Sequence, residues 1–168
     1  MGGYEQELNI LLRVGAAMLF GGVLGLEREL GRHSAGLRTH MLMAGAAALI
    51  VGLGDVMAAH FADERYRNLL NIDPVRLIEA VVACVGFVAA GTILRSRGDD
   101  HVRGLTTASS LVMASAIGVA AGLGEYVLAL GASVLCITVL ALLGWAARRL
   151  PGGPQASDRP AQGPHDAS

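Results

Sequence analysis

Five nearly uncharged apolar stretches run through this chain of 168 residues, each about as long as a helix that crosses a bilayer. Such a helix needs ~20 mostly apolar residues to traverse ~30 Å of hydrocarbon. Leu8–Leu26, Met41–Phe61, Val75–Leu94, Leu105–Leu123 and Tyr126–Ala147 all come close. The fifth is the cleanest: it carries no charge, Tyr126 and Trp145 sit near its two ends, and Arg148 and Arg149 stop it. Amphipathic rings favour the two membrane interfaces. A soluble bundle would need polar outer faces on its helices, and a chain that is 53% hydrophobic and 16% charged does not supply them. The predicted fold is an all-α membrane protein, a bundle of about five transmembrane helices whose first partner is the lipid bilayer.

Arginines in the short connections set the orientation. Arg28, Arg32 and Arg38 lie in the first connection, Arg95, Arg97 and Arg103 in the third, and Arg148 and Arg149 after the fifth span. Opposite them, the N-terminus and the loop near Glu125 have none, although the second connection holds Arg65 and Arg67. This places the N-terminus outside and the C-terminus in the cytoplasm. Glu5 and Glu7, with no basic neighbour, are wrong for a cleavable secretory signal. Pro151–Ser168 is rich in Pro, Gly, Ala and small polar residues and reads as a disordered cytoplasmic tail. The expected division is a transmembrane domain over 1–150 and a tail over 151–168. A net charge of −1 gives no footprint for nucleic acid, and two cysteines exclude a disulfide scaffold or a four-cysteine zinc module.

Laying residue 14 onward over residue 82 onward aligns Gly36-Leu37-Arg38-Thr39 with Gly104-Leu105-Thr106-Thr107. Each segment opens an even-numbered helix. Two parallel helical-hairpin repeats related about the membrane normal would produce this match; so would compositional bias with similar capping needs.

Charges inside spans are expensive and ask for a reason. Arg13 is close enough to the outer end of its helix to snorkel to the interface. Asp73-Pro74 reads as a cap followed by proline at the first helical position. That start puts Glu79 roughly 7 Å inside the third helix, with Arg76 at i−3 and Asp55 near the same outer surface. The candidate readings are a local ion pair or a cation-attracting intramembrane carboxylate. A denser cluster falls on the cytoplasmic side: Glu27, Arg28 and Glu29, then Arg38, Thr39 and His40, then Arg103, Thr106 and Thr107. Thr39 and Thr106 are expected as caps for two helix N-termini whose free N–H groups face this cluster. It forms either a closed structural network or a polar cavity that binds a small ion or docks a partner.

No paired histidine spacing, nucleophile elbow or Walker loop occurs. No catalytic residue or cofactor is therefore assigned, and a metal, if any, is left unidentified. Gly21-x-x-x-Gly25 and Gly118-x-x-x-Gly122 are small-residue contact patterns, with Gly86 and Gly91 expected at helix contacts in the third span. Such faces fit packing or a homodimer. Cys84 and Cys136 fall near mid-helix as small apolar residues.

Five segments in order resemble the MgtC/SapB family of bacterial inner-membrane proteins. They are Gly25-Leu26-Glu27-Arg28-Glu29, Ala35-Gly36-Leu37-Arg38-Thr39-His40, Asp73-Pro74-x-Arg76, Gly86-Phe87-x-x-Ala90-Gly91-Thr92-Ile93 and Val102-Arg103-Gly104-Leu105-Thr106-Thr107-Ala108. The resemblance implies a multi-pass inner-membrane protein linked to survival under magnesium limitation, acid or host-cell stress. It also implies a modulator of other membrane machinery, including the F-type ATP synthase. The alternative is a cation channel or transporter for Mg²⁺ or H⁺. Cys84 and Ala89 stand where the family usually has glycine, and Glu79 stands at a typically small position, which predicts looser packing of the third helix. Larger members carry a C-terminal soluble regulatory domain, and roles that need it are not expected to carry over. The orientation is directly testable. A green fluorescent protein fused at the C-terminus is expected to fluoresce, and alkaline phosphatase at the same place to be inactive; the reverse pattern would invert the topology.

Overall fold

The computed structural model of the protein describes residues 2–61, 73–95 and 104–149. They form five helices: α1 (Gly2–Leu30), α2 (Leu37–His60), α3 (Pro74–Arg95), α4 (Leu105–Gly122) and α5 (Tyr126–Arg149). No strand occurs among the described residues. All five helices are long and apolar enough to cross a membrane, so this is an all-helical, multi-pass membrane protein. The expected tail, Arg103 and the loop residues Arg65, Arg67 and Arg97 lie outside the described residues.

Helix α1 extends well past the apolar window Leu8–Leu26 at both ends. Hydropathy stops at charged residues, whereas helix propensity does not: Glu, Gln, Arg and Leu are all strong helix formers. Its candidate span, Tyr4–Leu30, is ~40 Å long at 1.5 Å per residue. That exceeds the hydrocarbon by ~10 Å, so the helix tilts or its charged end turns project from the apolar layer.

Local chemistry fixes the helix ends. Arg32 adopts φ 55°, while His33 N–H bonds to Arg28 O and Arg32 N–H to Glu29 O, each at 3.0 Å. This is a Schellman closure with a non-glycine residue in the left-handed position. Gly124 makes the same closure after α4 with φ 84°, and α5 follows almost at once. Asp73 caps α3 as expected: its Oδ1 accepts the Val75 N–H at 2.9 Å, and Pro74 is the first helical residue. The N-caps of α2 and α4 are Gly36 and Gly104, which have no side chain of their own to make a cap bond. Thr39 and Thr106, expected as caps, lie inside their helices. The two helix starts keep the repeat register, although Gly36 is extended and Gly104 left-handed.

Helix α2 is held between α1 and α4. A Cβ at Gly21 would lie 2.6 Å from the Ala44 Cβ, and one at Gly25 2.7 Å from the Leu37 Cα. On the other side, a Cβ at Gly118 would fall onto the Ala44 carbonyl, and one at Gly122 would lie 2.9 Å from the Ala48 Cα. Small residues let membrane helices approach this closely. These four glycines are contact residues, as the sequence predicted. Gly86 and Gly91 are not: both are exposed, and a Cβ at either would meet nothing within 4 Å. They lie on the side of α3 turned away from the bundle.

The main core is built from α1, α2 and α4 (Val14, Ala17, Leu24, Ala44, Ala48, Ala114 and Ile117 among others), with Ala129 joining from α5. A second small cluster places Val81 and Val85 of α3 against Ala47 of α2. Helix α4 is the centre, with 61% of its span buried against 17% for α3 and 11% for α5. Gly118→Ala is therefore expected to lower thermal stability in detergent or nanodiscs by about 2 kcal/mol, an overpacking cost. Gly15→Ala, placed where nothing lies within 4 Å, should be neutral or stabilising by up to about 1 kcal/mol.

Candidate functional site: a buried polar cluster at one end of the bundle

The last turn of α1 and the first turns of α2 and α4 converge at one end of the bundle. Arg28 points inward from α1 and is only 3% exposed. Its Nη2 donates to Thr107 Oγ1 of α4 at 3.1 Å, and Ser34 of the connecting loop donates to the same oxygen at 3.5 Å. His40 of α2 has no accessible surface. Its Nδ1 lies 2.8 Å from the Gly36 carbonyl and its Nε2 3.0 Å from Ser110 Oγ. Ser110 Oγ in turn lies 2.8 Å from the Thr107 carbonyl, to which it can donate.

These bonds couple protonation to geometry. The Ser110 hydroxyl has one hydrogen. With His40 Nδ1–H on Gly36 O, a neutral imidazole needs the Ser110 hydrogen on Nε2. If that hydrogen goes to Thr107 O instead, Nε2 must itself carry a proton and donate.

Helix α2 receives its cap from across the loop. Glu29 Oε2 accepts the Leu37 N–H at 2.7 Å, which places a carboxylate at the positive end of the helix dipole. Gly36 makes room for it, since a Cβ there would lie 2.7 Å from that oxygen. Glu27 turns inward beside Arg28, within electrostatic reach of His40 and of Cys136 on α5. Among the described residues, Glu27 Oε2 and Arg28 Nε are buried without a hydrogen-bond partner.

The structure thus brings Glu27, Arg28, His40 and Thr107 together. Glu29 takes part through its cap, Thr39 is half-buried beside His40, and Arg38 and Thr106 face outward. Among the described residues the cluster is held by hydrogen bonds between helices, with no ion pair between its carboxylates and arginines. Ser110 and Ser34 were not anticipated as members. Ser110 lies three residues after Thr107 and so shares its helix face, a signal present in the sequence. No group of three or more His, Cys, Asp or Glu that could hold a metal occurs among the described residues.

The opposite end carries a second polar tie. Arg13 Nη1 bonds to Asp55 Oδ2 at 3.2 Å and to the Gly122 carbonyl at 3.0 Å, while its Nε donates to Asn9 Oδ1 at 3.0 Å. Arg13 therefore does more than reach the interface: it joins α1, α2 and α4. Asp55 belongs to this tie and does not pair with Glu79. Arg13–Asp55 is the one ion pair among the described residues. Among the described residues, Glu79 and Arg76, both exposed on α3, form no ion pair, so of the two readings the local salt bridge is not made.

The chain matches the MgtC family over residues 14–149. It is 34% identical to protein SapB of Bacillus subtilis over 84% of this chain and 60% of that protein. Protein MgtC of Salmonella typhimurium is 35% identical over 88% of this chain and 56% of that protein. YhiD of Escherichia coli strain K12, which bears a provisional magnesium-transporter name, is 36% identical over 79% of this chain and 59% of that protein. No solved structure matches. The chain belongs to the MgtC family, and it spans somewhat under two thirds of the length of these relatives.

Thr107→Val is isosteric but leaves Arg28 Nη2 without its buried acceptor. It is expected to destabilise the folded protein by about 1–3 kcal/mol. Thr106→Val, one residue earlier and exposed, should stay within about 0.5 kcal/mol. Equilibrium unfolding in mixed micelles distinguishes the two.

Proposed function

We propose that this MgtC-family chain is a non-catalytic protein of the bacterial inner membrane, N-terminus outside and C-terminus cytoplasmic. In this reading it modulates other membrane machinery during adaptation to low magnesium, acid or host-cell stress. The observation that carries it is the closure of the polar cluster. Arg28, His40, Thr107 and Ser110 are all buried, and they bond to one another and to the Gly36 carbonyl. Side chains engaged in this way hold helices together. The family resemblance supports the role in stress and names the F-type ATP synthase as one machine to test.

One observation favours a second reading, transport of Mg²⁺ or H⁺. Glu27 carries a buried carboxylate oxygen with no partner among the described residues, and intramembrane carboxylates commonly mark ion pathways. The provisional name of YhiD points the same way.

Two measurements separate these readings. In proteoliposomes, neither Mg²⁺ nor H⁺ flux is expected above that of empty vesicles. Flux abolished by Glu27→Gln would establish transport instead. In native membranes under magnesium limitation, crosslinking with mass spectrometry is expected to recover contacts with another membrane complex. Self-contacts alone under every stress condition would overturn the modulator reading.

A further inference from the structure

We propose that the outward face of α3 is a self-association surface, where a second copy of this chain docks with Arg76 of each copy paired to Glu79 of the other. The two sides of α3 are sharply different. Val81, Val85 and Ala89 are buried against the bundle. Ala80, Ala83, Phe87 and Ala90 lie on the opposite side and are all exposed, continuing from Arg76 at alternating steps of four and three residues. That alternation is the 3.5-residue repeat of two helices wrapped in a left-handed pair. Phe87, 83% exposed, is a large knob among small residues. Gly86 and Gly91 flank the stripe with open space beside them, so a neighbouring backbone can come close.

Charge identifies the occupant. Arg76 and Glu79 are both exposed on α3 and form no ion pair among the described residues. Glu79 sits roughly 7 Å along the helix from its start, where an uncompensated charge on a lipid-facing surface is costly. A two-fold axis along the membrane normal sets two α3 helices side by side and parallel. Arg76 and Glu79 then differ in depth by only ~4.5 Å, within reach of the two long side chains across the seam. Because such an interface is isologous, the pair forms twice. The face is thus complementary to itself, whereas the glycine pairs at positions 21/25 and 118/122 are already used inside the protomer.

The test uses the full chain, in differently tagged copies, reconstituted in nanodiscs and scored by co-purification and single-molecule photobleaching. The wild type is expected to dimerise. Arg76→Glu and Glu79→Arg should each weaken self-association by roughly tenfold or more through like-charge contacts. Co-expressed, the two variants should form a mixed dimer at near wild-type levels, because an all-acidic face then meets an all-basic one. A pair closed within one chain could not be repaired in this way. In a Cys84→Ser, Cys136→Ser background, Ala83→Cys should crosslink the dimer on oxidation, and Leu135→Cys on the outward side of α5 should not. A monomeric wild type (lipid alone covering the face), an Ala83→Cys crosslink to a different protein, or no rescue by the mixed pair would each overturn the proposal.

Discussion

Everything in this bundle depends on how closely the backbone of α2 approaches its two neighbours. Ala44 lies between Gly21 of α1 and Gly118 of α4, with no room for a Cβ on either side. Four residues along α2, Gly25 meets His40 on one side and Gly122 meets Ala48 on the other. In lipid there is no hydrophobic force to press helices together, so association rests on van der Waals fit and interhelical hydrogen bonds. Close fit at four glycines sets the register of three helices at once: α1 antiparallel to α2, and α2 parallel to α4. The parallel pair has the relation that a duplicated hairpin would give.

That register explains the polar ties. Arg13 and Arg28 are separated by fifteen residues, and so are Thr107 and Gly122. Because α1 and α4 run in opposite directions, one arginine reaches each end of α4: Arg13 at the Gly122 carbonyl and Arg28 at Thr107 Oγ1. The two contacts lie ~22 Å apart along the helices, nearly the depth of the apolar layer. Arg28 lies in the last turn of α1 and Arg13 about three turns after its start, and at both places neighbouring helices supply acceptors in place of water. The glycines allow close approach and the arginines hold the ends. His40 adds a link between α2 and α4 that bypasses α1.

Much of this was legible in the sequence. Five apolar windows predicted five helices, Asp73-Pro74 marked the start of α3, and two glycine pairs marked the contacts on α1 and α4. The rest depended on rotation about helix axes, which one-dimensional spacing leaves open. Thr106 and Thr107 differ by 100° around α4, and only packing on α2 decides that Thr107 faces inward. The same ambiguity hid Gly86 and Gly91, whose small size fits a contact and an open surface equally well. The pairing of Arg13 with Asp55 joins positions far apart in the chain, a relation invisible until α1 and α2 are in register. Helix α3 packs through a single inward stripe that includes Ala89, while Cys84 and Glu79 are both exposed.

The bundle is therefore a tightly fitted set of three helices, with α3 and α5 leaning on α4 and exposing most of their surface. The proposed role of the cluster around Arg28 and His40 requires that it be closed to water. Cysteine accessibility at position 110 tests this most directly, using Ser110→Cys in a Cys84→Ser, Cys136→Ser background in bilayers. A small, charged methanethiosulfonate reagent is expected to leave position 110 unmodified from either side. Leu105→Cys, at the exposed start of α4, should react readily from the side on which α4 begins. Rapid modification at position 110 would reveal an aqueous path into the cluster and contradict the account.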